Sequence, residues 1–226
     1  MQQYDKINNK IIQYKNDDIY IVFYDPTCPY CQNTFKLLNK YKLKYKGYNI
    51  EIVQDEADFN PREEDNLSTM LCFHHRYALG DKTDLKSDDF NGWEAVYNYL
   101  KKELKAVIIL PLYLYDHSGI SISVGSFIGR AQHAEWDSGQ VGFVYITKDK
   151  LKAEELTKKR AEKVLRAEVK TYDQYLRGEV YRYSIEKAGQ TFDGCGGYYD
   201  ENDAISEAKS NIDYYAKEEK KLQLQY

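Results

Sequence analysis

The chain has 226 residues, 42% of them hydrophobic, and a formal net charge of −4. That length supports one large domain or two small ones with a sizeable core; the acidic balance argues against nucleic acid as the main partner, because duplex binders carry a basic face. No run approaches the ~20 apolar residues of a membrane span, and the polar start MQQYDKINNK lacks the apolar centre of a signal peptide, so a cytoplasmic setting with reduced cysteines is expected.

In chain order, Tyr4, Ile7, Ile11 and Tyr14 share a helical face, predicting a helix over residues 3–14. IYIVFYD reads as a buried strand ended by Asp25-Pro26. After the loop Cys28-Pro29-Tyr30-Cys31, the positions Phe35, Leu37, Leu38 and Tyr41 fall at helical spacing, and YNIEIVQDE alternates as a second strand. Residues 19–55 therefore predict a β-loop-α-β unit, for which a right-handed parallel crossover is the default. ADFNPREEDN and ALGDKTDLKSDD read as loops around LSTMLCFHHRY, a short helix or buried turn.

A helix capped by Ser87 or Asp88 carries the stripe Phe90, Trp93, Val96, Tyr97, Leu100 and Leu104. AVIILPLYLY is a strand in which Pro111 marks an edge, a bulge or a kink. It is followed by a hairpin across Asp116–Gly119 to ISISVGSF, and VGFVYITK is a further strand. Residues 149–178 read as two helices split near Thr157, the second burying Val164, Leu165, Val169, Tyr172 and Leu176, with Gly178 closing it. EVYRYSIEKAGQTFDGCGGYYD is a hairpin turning at Ala188-Gly189, with Cys195 read as a small residue in a tight turn. A last helix spans residues 203–222. The class is α+β, a mixed sheet with helices packed on it, divided into an extension over 1–48 and a main domain over 49–226, or continuous across both.

A Cys-x-x-Cys at a helix start has a physical meaning. Unpaired backbone N–H groups and the positive end of the helix dipole stabilise the first thiolate, and the second sulfur lies within disulfide reach. The stretch around Cys28-Pro29-Tyr30-Cys31 resembles the glutaredoxin and thioredoxin-like active site, in which strand, CPYC and helix occur in this order. That resemblance implies a thioredoxin-like unit with Cys28 attacking and Cys31 resolving, glutathione or thioredoxin as redox partner, and a proline opening a later strand beside the cysteines, for which Pro111 is the candidate. Zinc is the competing chemistry: Cys28 and Cys31 have knuckle spacing, and Cys72 and His74 could complete four ligands if folding brought them together. Otherwise no metal or cofactor is expected.

The middle of the chain gathers a denser set of polar residues in its loops, where sites tend to be built. These are Asp65, Asn66, His74, Arg76 and Tyr77; then Asp116, His117 and Ser118; then Trp136, Asp137, Ser138 and Gln140. Asp116, His117 and Ser118 are adjacent, so alternation along a strand keeps them from forming a triad by themselves. Ser118 or Ser138 with His117 and a distant Asp, or Cys72 with His74 or His117, are the nucleophilic arrangements to test. Loop-organising histidines and turn-capping aspartates and serines are the bland alternative. The segments NPREEDNLSTMLCFHHRYALGD, LPLYLYDHSG, WDSGQVGFVYITKDK and VKTYDQYLRGEVY together resemble a family of uncharacterised proteins encoded by bacteriophages and prophages, over residues 50–200. The resemblance implies a host-cell cytoplasmic setting. The expectation is an accessory protein that binds a host or defence component, protein or small signalling molecule; the rival is a thiol–disulfide oxidoreductase.

Overall fold

The computed structural model describes residues 5–7, 10–15, 18–23, 41–55 and 59–223. Its described residues fall into two compact units, one from the stretches Met1–Glu56 and Glu179–Tyr226, the other from Ala57–Gly178. The class is α+β, and every strand pairing among the described residues is antiparallel.

The first unit opens with β1 (Asp5–Ile7), β2 (Lys10–Lys15) and β3 (Asp18–Phe23), which pair in that order. The predicted helix over 3–14 is therefore two strands. β-Branched and aromatic residues favour strands, and the intervening pairs Asn8-Asn9 and Asn16-Asp17 are types that turns favour. The parallel crossover is also corrected: β3 belongs to this three-stranded sheet, whereas YNIEIVQ forms β5 (Tyr48–Gln54) in another. The predicted helix beginning at Cys31 lies outside the described residues up to Tyr41, where β4 (Tyr41–Tyr45) starts.

β4 and β5 form a hairpin, Tyr45 opposite Tyr48, so a boundary at residue 48 would cut it. Its sheet runs β11-β10-β5-β4, with β10 at Tyr181–Lys187 and β11 at Gln190–Tyr198. The tight turns Lys46-Gly47 and Ala188-Gly189 have positive φ at both residues, 49° and 84°, then 52° and 80°, the backbone that suits a two-residue hairpin to strand twist. Cys195 sits within β11 opposite Tyr183, not in a turn, and is exposed. One sheet face carries Tyr48, Ile50, Ile52, Tyr183 and Ile185, buried against Ala204, Ala208 and Ile212 of the last helix, Glu201–Gln223. Those three positions recur every four residues, as one face of a helix requires.

The second unit is a four-stranded sheet, β6-β9-β7-β8, formed by Thr69–Cys72, Ser138–Thr147, Ala106–Asp116 and Ile120–Ser123. Helices cover both faces. α1 (Gly92–Lys102) packs Val96 and Leu100 against Leu71, Phe143 and Tyr145. After α2 (Ala134–Asp137) and α3 (Lys148–Ala153), α4 (Lys158–Leu176) packs Leu165, Val169 and Tyr172 against Met70, Leu112, Leu114, Val144 and Ile146. Double coverage explains why LSTMLCFHHRY contains strand β6 and no helix: Met70 and Leu71 are both buried, on opposite faces, so the strand does not alternate.

Ser87–Asp89 makes its own 3-10 turn, and α1 starts later, with Asn91 at its N-cap. Thr157 caps α4 through its hydroxyl, but Val164 is exposed and Ala161 takes its place in the buried stripe. Positions 161, 165, 169 and 172 keep the 4-4-3 spacing of one face, which 164 breaks. Pro111 faces Phe143 of β9 in a stretch that β8 does not reach, with a register shift just beyond at Leu112/Tyr113; the local edge and the adjacent bulge account for a proline inside a strand. No peptide bond among the described residues is cis. No helix among them is long and apolar enough to cross a membrane.

Candidate functional site

Strand direction assembles the site. β6 and β7 both run antiparallel to β9, so the C-terminal ends of β6 and β7 and the start of β9 lie at one end of the sheet. His74, Arg76 and Tyr77 leave β6 there, Asp116 and His117 end β7, and Asp137, Ser138 and Gln140 lead into β9. All four histidines of the chain, His74, His75, His117 and His133, belong to these segments.

Tyr115 and Asp116 are neighbours on a strand and serve opposite faces. On the Asp116 side, the Arg76 guanidinium pairs with the Asp116 carboxylate, and the Tyr77 hydroxyl donates to its Oδ1 at 3.2 Å. His74 Nδ1 accepts the backbone N–H groups of Arg76 and Tyr77, both at 3.3 Å, which assigns its ring proton to Nε2. Burial, then the neighbouring His75 and Arg76, hold the His74 pKa below the usual imidazole range. The ring is therefore a neutral plate. It stacks between His75, at 4.8 Å, and Tyr77, at 5.0 Å.

On the Tyr115 side, His117 Nδ1 and Asp137 Oδ2 are 2.7 Å apart. Tyr115 stacks between His117 and Phe127 and donates its hydroxyl to Gln132 O at 2.9 Å. The His133 ring stands 5.8 Å from that of His117, at a residue with φ 55° that begins α2. These contacts fasten the β8–β9 loop to the end of β7. Trp136, carried on α2, is left 88% exposed.

The remaining candidates organise loops. Ser118 occupies a turn at φ 55°, and the His117 N–H donates to Gly119 O. The Ser138 hydroxyl donates to Ala134 O, and the Gln140 amide to Gly142 O. Asn66 ties Pro61 O to Glu64 O, and Asp65 lies 3.9 Å from Lys150; no contact links Asp65 or Asn66 to the histidine segments among the described residues. Asp137 is thus the distant acid that His117 needed, but no serine bonds to His117 among the described residues. Burial pushes the Cys72 thiol up to about 12, so it stays protonated and cannot serve as the nucleophile for His74. No group of three or more metal-ligating side chains occurs among the described residues, and Cys28 and Cys31 lie outside them.

Arg62, Ser68, Asp81 and Glu168 form a further cluster; the first three lie in NPREEDNLSTMLCFHHRYALGD, but no local pattern pairs them with Glu168. Buried Arg62 grips Asp81 through Nε at 2.7 Å and Nη2 at 2.9 Å, and donates to Ser68 O at 2.8 Å. Glu168 of α4 accepts Leu67 N–H at 2.7 Å and the Ser68 hydroxyl. The partners are up to 106 residues apart, so local pattern holds no trace of them. His133 and Tyr115 were also not singled out, although proximity to the polar segments was a usable signal.

A 31-residue stretch of the chain is 48% identical to a protein described as "Probable glutaredoxin" from Acanthamoeba polyphaga mimivirus, covering 14% of this chain and 29% of that protein. The chain therefore matches less than a third of the relative's length, and the likeness to glutaredoxin is local. No family model and no solved structure matches the chain.

Proposed function

We propose that this is a phage-type accessory protein that acts by binding a host or defence component in the host cytoplasm, through the histidine-rich end of the β6-β9-β7 sheet. The observation that carries the reading is Trp136: it is 88% exposed on a turn held down by the His117–Asp137 contact. A large aromatic side chain presented on a pre-ordered loop is a contact anchor that loses little freedom on binding. Arg76, half-exposed and held by Asp116, is a second anchor. The resemblance of residues 50–200 to phage and prophage proteins supplies the setting.

Purified protein carrying Trp136→Ala or Arg76→Ala is expected to keep its circular dichroism and melting temperature and to lose the partner that the wild type captures from host lysate. A partner profile unchanged by both substitutions removes the reading.

A second reading, a thioredoxin-like thiol–disulfide oxidoreductase acting through Cys28 and Cys31 with glutathione or thioredoxin, is favoured by the match to a probable glutaredoxin. It makes a sharp thiol-reactivity prediction. At neutral pH iodoacetamide should modify Cys28 faster than the exposed Cys195, react far more slowly with the half-buried Cys72, whose thiol is held protonated, and abolish glutathione-coupled turnover as Cys28→Ser should. Peptide mapping that finds Cys28 no faster than Cys195 ends this alternative.

A further inference from the structure

Beside the His74 ring, between the β6–β7 loop and the bulged start of β9, lies an open groove of about 640 Å³. Its lining is unequal in character. Phe73, Leu85 and Val141 give it an apolar floor, and His74 and His75 line its wall. Asp81, the acidic residue of the lining, is already committed to Arg62 and to the Met70 N–H. Lys86, by contrast, is exposed and makes no ion pair among the described residues. The groove therefore offers an ammonium group outside any ion pair among the described residues, next to stacked rings.

The rings form a ladder. Arg76 lies over Tyr77, Tyr77 stacks on His74, and His74 on His75. His74 is filled on both sides, whereas His75 is the exposed outer rung. A flat ligand ring laid on His75 would extend the ladder without disturbing it, since stacking needs only a π-face.

We propose that this groove binds a planar heteroaromatic anion of nucleotide size, its ring stacked on His75 and its negative charge met by Lys86. The assignment rests on the reading of this sheet end as a binding surface and gives that surface a small-molecule class. A cation is disfavoured because the lining carboxylate is spent, and a purely apolar ligand would leave Lys86 and the imidazoles unused.

The test uses the full chain titrated calorimetrically with three probes: AMP, adenosine and inorganic phosphate. AMP is expected to bind, with adenosine and phosphate each about tenfold weaker or more, because each retains only half of the recognition. His75→Ala and Lys86→Ala, both at exposed positions and checked for unchanged melting temperature, should each weaken AMP by about tenfold, and Lys86→Ala should also flatten the salt dependence. Absence of AMP binding at millimolar concentration, phosphate binding as tightly as AMP, or AMP binding unaffected by His75→Ala overturns the assignment. Trp136-dependent capture that persists without AMP binding overturns the ligand class alone and leaves the binding surface standing.

Discussion

Arg62→Met is expected to destabilise the Ala57–Gly178 unit by about 3–5 kcal/mol, the cost of removing one partner from a buried ion pair. The Arg62 side chain is 2% exposed and faces Asp81 at 23% and Glu168 at 14%. The substitution keeps most of the volume but leaves two largely buried carboxylates without the guanidinium, and it strips a hydrogen bond from Ser68 O. Asp81 retains some contact with water, which places the effect at the lower end of the range. The network also sets the start of β6, because Asp81 Oδ2 accepts the Met70 N–H at 3.0 Å. Both tryptophans, Trp93 and Trp136, belong to this unit, so urea unfolding followed by tryptophan fluorescence reads it selectively. Adding Asp81→Asn to Arg62→Met should recover part of the loss, since one orphaned charge is then removed. A single-variant loss under about 1 kcal/mol would show that the charges are solvated and the pairing incidental.

What sequence pattern revealed, and what it hid, divides along physical lines. The β7–β8 hairpin was legible because ISIS alternates and Asp116–Gly119 has turn chemistry. α4 was legible because Thr157 caps it and its stripe keeps helical spacing. β6 was not, since a four-residue strand covered on both faces shows neither period. β4 carries a signal that the helical spacing of Phe35, Leu38 and Tyr41 hides: in KYKLKY the lysines alternate with Tyr41, Leu43 and Tyr45 as a strand pattern requires, and Lys46-Gly47 supplies the turn. The N-terminal pattern misled because Tyr4, Ile7, Ile11 and Tyr14 fit a helical period by coincidence, while β propensity decided the outcome.

The site shows the same division. Residue types were readable, and Arg76, Tyr77, Asp116, His117 and Asp137 do meet at one sheet end. Their partners were not readable, because each contact depends on strand order. Asp116 and His117, adjacent in the chain, serve opposite faces of the sheet, so what looked like one cluster is two, one built around a His–Tyr ladder and one around a fastened loop. Asp65 and Asn66 had the right composition but sit in a loop tied to Lys150 instead.

Gly142→Ala is expected to separate β6 from β9 and so to disable the site without touching any residue in it. Gly142 lies in the sheet between Cys72 of β6 and Leu112 of β7. A Cβ at this position would fall 1.9 Å from Leu71 O and 2.9 Å from Cys72 Cα. Both are backbone atoms, so no rotamer change relieves the overlap; the strands must move apart. Overpacking of this kind costs about 1–3 kcal/mol, or more where the backbone itself must shift. The displaced strand is the one that carries His74, Arg76 and Tyr77, so the Arg76–Asp116 pair and the imidazole ladder should loosen with it. Gly139 provides the control on the same strand, because a Cβ there meets nothing within 4 Å. The decisive readout is amide exchange at Phe73, whose N–H donates to Val141 O at 2.8 Å across the β6–β9 pair: protection should fall sharply in Gly142→Ala and hold in Gly139→Ala. Equal protection and equal urea midpoints in the two variants would mean that β6 is free to adjust, and that the histidine-rich surface does not depend on the close approach of these two strands.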